Sequence, residues 1–228
     1  DLSRLIGVVV IALLFRRKFG PVVKMSDLRP FPAEQFGRLL AIGIPTGGES
    51  VSYNLSQICI QTICNRFAQF VVNTRVYANM FANVTYLFGA ALSQAAQVVV
   101  ARLMGGGDVP ATRKSVRLAL LGSVGVSLAV SILLYLFAGP VYSLFTRDPD
   151  IIALAKIIML IEIPLEVGRA VNMTMCRVLQ ACGDIRYPIL LCVIFAWVMG
   201  VGGSWLFGVR FGLGLPGLWI AMALDECI

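Results

Sequence analysis

The sequence predicts an all-α fold: a polytopic transmembrane helix bundle with about five full spans and two truncated ones. Three observations predict it. Hydrophobic residues fill 58% of the 228 positions and charged residues 14%, whereas a soluble domain carries roughly 25% charged residues. Mean hydropathy is +0.85, too apolar for a water-soluble globule. Stretches 76–101, 118–146 and 187–209 carry no charge, and 39–65 carries only Glu49. Each exceeds the roughly 20 residues that cross a bilayer core, and at that length a helix satisfies its own backbone in lipid. A transmembrane barrel would show strictly alternating segments of about 10 residues, and that pattern is absent.

Taken in order, residues 1–15 read as the end of a truncated transmembrane helix, because the apolar stretch 5–15 is too short to span. Residues 16–38 read as a loop, with Arg16, Arg17, Lys18, Lys24, Arg29 and Arg38 interrupted by Pro21, Pro30 and Pro32. Residues 39–228 form a transmembrane lobe with spans at about 39–65, 76–101, 118–146, 151–181 and 187–209, and another starting at 214. The chain opens on Asp1, and both end segments are expected to be spans cut by the ends of the sequence.

The net charge of +7 sits in the connections between spans, which is a positive-inside pattern and not a nucleic-acid footprint. Loop 16–38, the connection with Arg102, Arg113, Lys114 and Arg117, and the turn near Arg177 and Arg186 are rich in basic residues. The connections with Arg66 and Arg75, with Arg147 and with Arg210 are poor. The rich set is expected on the cytoplasmic side. Two of its turns rhyme: Arg102-Leu-Met-Gly-Gly-Gly-Asp108 and Arg177-Val-Leu-Gln-Ala-Cys-Gly-Asp184 both run from a basic residue to Gly and then Asp, as helix C-caps do. No G-K-[ST] follows the triple Gly, so there is no phosphate loop. The six cysteines form no C-x-x-C pair and read as small buried hydrophobes. Histidine is absent, which removes the commonest acid–base and metal-ligating side chain. No metal site and no cofactor are expected.

Polar residues inside the spans mark candidate sites. At about 100° per residue, Glu49, Ser50, Tyr53, Asn54, Ser56, Gln57 and Gln61 share one half of their helix, opposite Val51, Leu55 and Ile58. In the next span Asn79, Asn83, Tyr86, Ser93, Gln94 and Gln97 share one face, opposite Phe81, Val84 and Phe88. Two such stripes predict a hydrated cavity, the alternative being interhelical hydrogen bonding alone. In span 151–181, Glu162, Glu166, Arg169, Met173 and Gln180 form a narrow stripe. Glu162 lies about 16 Å and Arg169 about 27 Å along the helix from its start, too deep to snorkel. A charge near the bilayer centre costs at least about 2.5–3.5 kcal/mol, so such groups pair or serve a pathway. Glu166 and Arg169, three apart, can pair as a structural ion pair, which leaves Glu162 and Glu49 without an evident partner.

Glu49 follows Gly43-Ile-Pro-Thr-Gly-Gly48. Pro45 lacks an N–H and clashes with the carbonyl of Ala41, so a bent or unwound segment is expected one turn from a buried carboxylate, which suits a cation site. Pro164, between Glu162 and Glu166, repeats the device at the carbonyl of Leu160. Desolvation disfavours charge on an unpaired carboxyl there. The candidate cation-coupling or substrate-binding residues are Glu49, Glu162 and Glu166. The alternative for Glu49 is a kinked packing helix whose carboxylate bonds a neighbour.

Several segments resemble the multidrug and toxic compound extrusion (MATE) transporters. They are Gly43-Ile-Pro-Thr-Gly-Gly-Glu49, Val99-Val-Ala-Arg-Leu-Met-Gly-Gly-Gly-Asp108, Leu144-Phe-Thr-Arg-Asp-Pro-Asp150, Leu179-Gln-Ala-Cys-Gly-Asp-Ile-Arg-Tyr-Pro188 and Gly217-Leu-Trp-Ile-Ala-Met-Ala-Leu-Asp225, in that order and spacing. The resemblance implies a twelve-helix protein of two six-helix lobes in the plasma (inner) membrane, exporting organic cations against Na⁺ or H⁺ by alternating access. This chain would then be the C-terminal lobe, joined by the inter-lobe loop 16–38 to an N-terminal lobe of the same protein. Members differ in which lobe carries the coupling carboxylate, so the assignment to Glu49 rests on the local geometry of this sequence. Small cationic amphiphiles, membrane lipids and the other lobe are the expected partners. Acids beside Tyr53, Tyr86 and Met173 would meet a drug cation. A flippase for lipid-linked oligosaccharides is the alternative, and it would need a cationic cavity. A membrane enzyme has no nucleophile and base to offer, and a channel or purely structural bundle would also turn polarity inward.

Overall fold

The computed structural model describes residues 2–19, 33–143 and 145–228. Lys24, Arg29, Pro21, Pro30 and Pro32 of the expected loop lie outside the described residues. The chain divides into two units, 1–44 and 45–228. In the first, α1 (Leu2–Phe19) runs beyond its apolar stretch and ends on Arg16, Arg17 and Lys18, cations placed where the C-terminal dipole favours them. Helix α2 (Ala33–Cys64) begins here, several residues before the expected span.

The second unit holds α2 from Pro45 onward, α3 (Gln69–Gly105), α4 (Val109–Leu136), α5 (Ala138–Ser143), α6 (Pro149–Ala181), α7 (Arg186–Phe195), a π-helical segment Ala196–Arg210, and α8 (Leu215–Cys227). Among the described residues no strand is present. Among the described residues, three helical stretches are long and apolar enough to cross a membrane by themselves: Gln69–Gly105, Val109–Leu136 and Arg186–Arg210. On α4 the outer face is apolar and the inner one polar. Leu118, Leu121, Leu133 and Leu136 are exposed while Thr112, Ser123, Ser127 and Ser131 are buried. That inversion suits lipid outside and close helix packing with hydrogen bonding inside. Thr174 Oγ1 donates to Ser123 Oγ at 3.2 Å, and Ser123 Oγ donates to the Ala170 carbonyl at 3.3 Å, tying α4 to α6.

Three features depart from the uncharged runs. Stretch 118–146 is not one helix. Pro140 has no amide to donate and its ring clashes with the carbonyl of Leu136, so α4 stops there and α5 starts anew. Helix α3 begins at Gln69, not near residue 76, because Arg75, expected in a connection, is buried within it. Stretch 187–209 is α-helical only to Phe195 and π-helical beyond.

The rhyming turns fold alike. Gly107 (φ 74°) and Gly183 (φ 93°) take the left-handed conformation that glycine adopts without penalty. The Asp that follows each then accepts from the next helix's first turn: Asp108, the N-cap of α4, from the Ala111 amide at 3.0 Å, and Asp184, just before the N-cap Ile185 of α7, from the Tyr187 amide at 3.4 Å.

Helix α6 is the hub, packed on α3, α4, α5, α7 and α8. Its Ile158, Met159 and Leu165 join Ile60, Tyr142, Leu218 and Trp219 in the core. Tyr77 and Phe81 of α3 meet the rings of Tyr142 and Phe145 with centroids 5.1–6.5 Å apart. Phe81, placed on the apolar face by periodicity, thus packs against protein. The prolines do not unwind their helices: α2 continues through Pro45 and α6 through Pro164. In an apolar surrounding, further unwinding would expose more unpaired backbone than the single bond each proline removes.

The π-helical segment lies against α8, and its Gly200, Gly203 and Gly208 serve close packing there. The tightest backbone approach is at Gly217 of α8, where a Cβ would stand 2.6 Å from the Phe207 carbonyl carbon and 2.8 Å from the Gly208 amide nitrogen. Gly217→Val is therefore expected to destabilise the intact protein by about 1–3 kcal/mol or more, measured by thermal unfolding in detergent. Gly122→Ala, where a Cβ meets nothing within 4 Å, is expected to be neutral in the same assay.

Candidate functional site

A cavity of about 760 Å³ opens between α2, α3, α6, α7 and α8. Five of the residues placed on its wall by helical periodicity line it: Tyr53, Gln57, Asn79, Asn83 and Tyr86. Three do not. Asn54 turns back to donate to the Ser50 carbonyl at 2.7 Å. Gln94 and Gln97 share the α3 face but lie about two to three turns beyond Tyr86, past the lined stretch. Glu49 and Glu162 line the cavity and Glu166 does not, and neither Pro45 nor Pro164 is part of the wall.

Glu49 is half-buried. Among the described residues, no hydrogen bond or ion pair joins it to a partner. The acids of α6 differ. Glu162 and Glu166 are 2% and 1% exposed, and Arg169 stands one turn on. Arg169 is hydrogen-bonded to Glu166, as three-residue spacing predicts, and lies 3.9 Å from Glu162 Oε1.

The expectation that Glu162 lacks a partner is corrected. Its Oε2 accepts from Trp219 Nε1 at 2.6 Å, while Oε1 has no hydrogen-bond partner. A third carboxylate is one that sequence reasoning missed. Glu226 of α8 accepts from Arg169 Nε at 3.2 Å and from Asn172 Nδ2 at 3.1 Å. Its signal was visible: Glu226 lies seven residues after Trp219, two turns along the same face of α8.

Arg75 is the other residue that local reading misplaced. It is 3% exposed, donates through Nη1 to the Ile60 carbonyl at 3.3 Å, and sits 6.0 Å from the centroid of the Trp219 ring, within reach of a cation–π contact. One path of contacts therefore runs from Arg75 through Trp219 and Glu162 to Arg169, and on to Glu166, Glu226 and Asn172. Trp219 is its waist, since its ring faces one arginine and its N–H holds the carboxylate paired with the other. Among the described residues, no group of three or more His, Cys, Asp or Glu has the placement to hold a metal ion.

The cavity wall carries the acids Glu49, Glu162, Asp225 and Glu226 against the arginines Arg169 and Arg177. With these acids stand the rings of Tyr53 and Tyr86. The wall is thus equipped for a cation that is partly apolar.

The family model described as MatE matches residues 45–206. The chain belongs to the MatE family. Its members are integral membrane transporters, not enzymes. An uncharacterized transporter of Bacillus subtilis, YisQ, is 32% identical over 228 residues, covering 100% of this chain and 50% of that protein. A probable multidrug resistance protein of Thermotoga maritima, NorM, is 25% identical over 226 residues, 98% of this chain and 48% of the relative. A MATE transporter of Vibrio cholerae superposes with a TM-score of 0.85 at 18% identity, over 97% of this chain and 50% of that one. At that identity the likeness is one of fold. The chain spans about half the length of the relatives it matches.

Arg169 binds carboxylates from two helices, so its loss strands buried charge. Arg169→Met is expected to cost the intact protein about 3–5 kcal/mol, and adding Glu166→Gln should recover part of it. A double-mutant cycle by thermal unfolding measures the coupling, and additive losses would dissolve the pair.

Proposed function

We propose that the intact protein is a secondary multidrug exporter that antiports organic cations against Na⁺ or H⁺ by alternating access of two lobes, and that this chain supplies one of them. The observation that carries this reading is Glu49. It is an unpartnered carboxylate on the wall of a cavity of about 760 Å³ whose lining also includes Tyr53, Tyr86 and further acids. An acid of that kind in a membrane interior costs free energy unless a cation or a proton meets it. Glu162, Glu166 and Glu226 already have protein partners, so the wall acids free to exchange one are Glu49 and, beside Glu226 on α8, Asp225. Glu49 is the one set on α2, apart from the α6–α8 charge cluster. Similarity to relatives named as probable multidrug resistance proteins supports the substrate class.

The cargo is a cationic amphiphile, met by the carboxylates and by the tyrosine faces, and the location is the plasma (inner) membrane. Glu162 is the second acid toward the cavity, held by Trp219, and Glu166 serves as a counter-ion to Arg169. Retention of an anionic pyrophosphate, as in an oligosaccharide flippase, would require a wall in which arginine and lysine outnumber acids, and here the acids are in excess.

Glu49→Gln in the intact protein is expected to abolish drug-resistance export while leaving membrane insertion intact, read by growth in the presence of a cationic dye and by protein level in the membrane fraction. Unchanged export would take Glu49 out of the mechanism. In vesicles, an imposed Na⁺ or H⁺ gradient is expected to drive counter-transport of the dye, and the absence of any response to both would sink the antiport reading.

A further inference from the structure

Two cysteines that the transport reading does not use face each other across the cavity wall. Cys176 of α6 and Cys192 of α7 have their sulfurs 3.7 Å apart. Both are free, half-buried, and both line the cavity. Cys176 is further fixed by donating to Asn172 Oδ1 at 3.2 Å. This is unlike Cys64, which is fully buried in the core and serves as a small hydrophobe. Cysteines kept only for packing have no need to converge on one another or on an open cavity.

We propose that Cys176 and Cys192 form a dithiol site in the cavity for monosubstituted trivalent organoarsenicals, R–As(OH)₂. A pyramidal arsenic(III) centre with narrow S–As–S angles bridges two sulfurs set further apart than the about 2.05 Å of a disulfide, so the pair needs only small side-chain rotations to close on it. Two As–S bonds form and two As–O bonds break. Each thiol proton leaves with one hydroxyl as water, so two waters are released and arsenic stays trivalent, with no oxidant or reductant consumed. The third valence of arsenic keeps the organic group, and the lining residues Met173, Leu191 and Phe195 beside the pair give an aryl or alkyl substituent an apolar surface. A tetrahedral metal such as zinc would ask for four ligands, and no group of three candidate ligands exists among the described residues. Two sulfurs suffice for arsenic. Asn172 also holds Glu226, so an occupied dithiol adjoins the charge cluster.

The test uses the intact protein in membranes and phenylarsine oxide, which hydrates to the dihydroxy form. Intact mass is expected to show one adduct that survives a monothiol wash and is removed by 2,3-dimercaptopropanol, the behaviour of arsenic held by two protein sulfurs. Peptide mapping should find Cys176 and Cys192 protected from maleimide while exposed Cys182 stays reactive. Cys176→Ser and Cys192→Ser should each lose the wash-resistant adduct while the remaining thiol still takes maleimide. An adduct that persists in both single variants, one that a monothiol removes from the unaltered protein, or maleimide reaction at Cys176 and Cys192 undiminished by the arsenical would each overturn the site. Because the readout is binding and not export, failure here leaves the exporter reading intact, and failure of export leaves this result standing.

Discussion

Arg169 stands between Glu162 and Glu166 of its own helix and Glu226 of α8, and the low dielectric of a helix bundle sets what that placement is worth. A lone carboxylate at such depth is expelled, neutralised or matched. One guanidinium, with donors in a planar fork, reaches all three acids. It thereby fixes the rotation of α6 about its axis and the docking of α8 against it. The remaining contacts follow from that docking. Trp219 can hold Glu162 only because α8 is seated there, and Arg75 can lie over the Trp219 ring only because α3 packs on the same side of α6.

Helix α4 inverts soluble-protein packing. Serine and threonine on α4 point inward and leucine points outward, because lipid solvates the apolar face and the buried hydroxyls find carbonyls and each other. Glycine plays the matching role between the π-helical segment and α8. There the backbones approach so closely that a single added carbon would collide with a carbonyl group.

Within that frame the acids divide into two kinds. Glu162, Glu166 and Glu226 are committed to Arg169, Trp219 and Asn172, and Glu162 and Glu226 line the wall. Glu49 on α2 is not committed, and it shares the cavity with tyrosine rings and a facing pair of thiols. A membrane cavity that holds unbonded acids beside fixed ones separates groups open to a cation or proton from groups that hold the helices in place. That division is what a MatE-family lobe needs if binding at the cavity is to change helix packing without dissolving it.

Periodicity and composition were enough to identify a helical membrane bundle, most of its spans, the capped Gly–Asp turns, the Glu166–Arg169 pair and five polar residues of the cavity wall. All of these depend on spacing along one helix or on a local turn. Partners about 55 residues apart in sequence could not be read that way. The bonds from Trp219 to Glu162 and from Glu226 to Arg169, the burial of Arg75 and the meeting of Cys176 with Cys192 each join residues from different helices. Helical phase says which face a residue occupies, but it does not say which neighbour that face meets or how far along the axis the cavity extends. That is why Gln94 and Gln97 share the right face and miss the cavity. The sequence by itself determined the helices and their polar sides. Only the packing of α3, α7 and α8 around α6 decided which charges are matched and which, Glu49 among them, are left free, because in a low-dielectric interior that outcome depends on distances between helices.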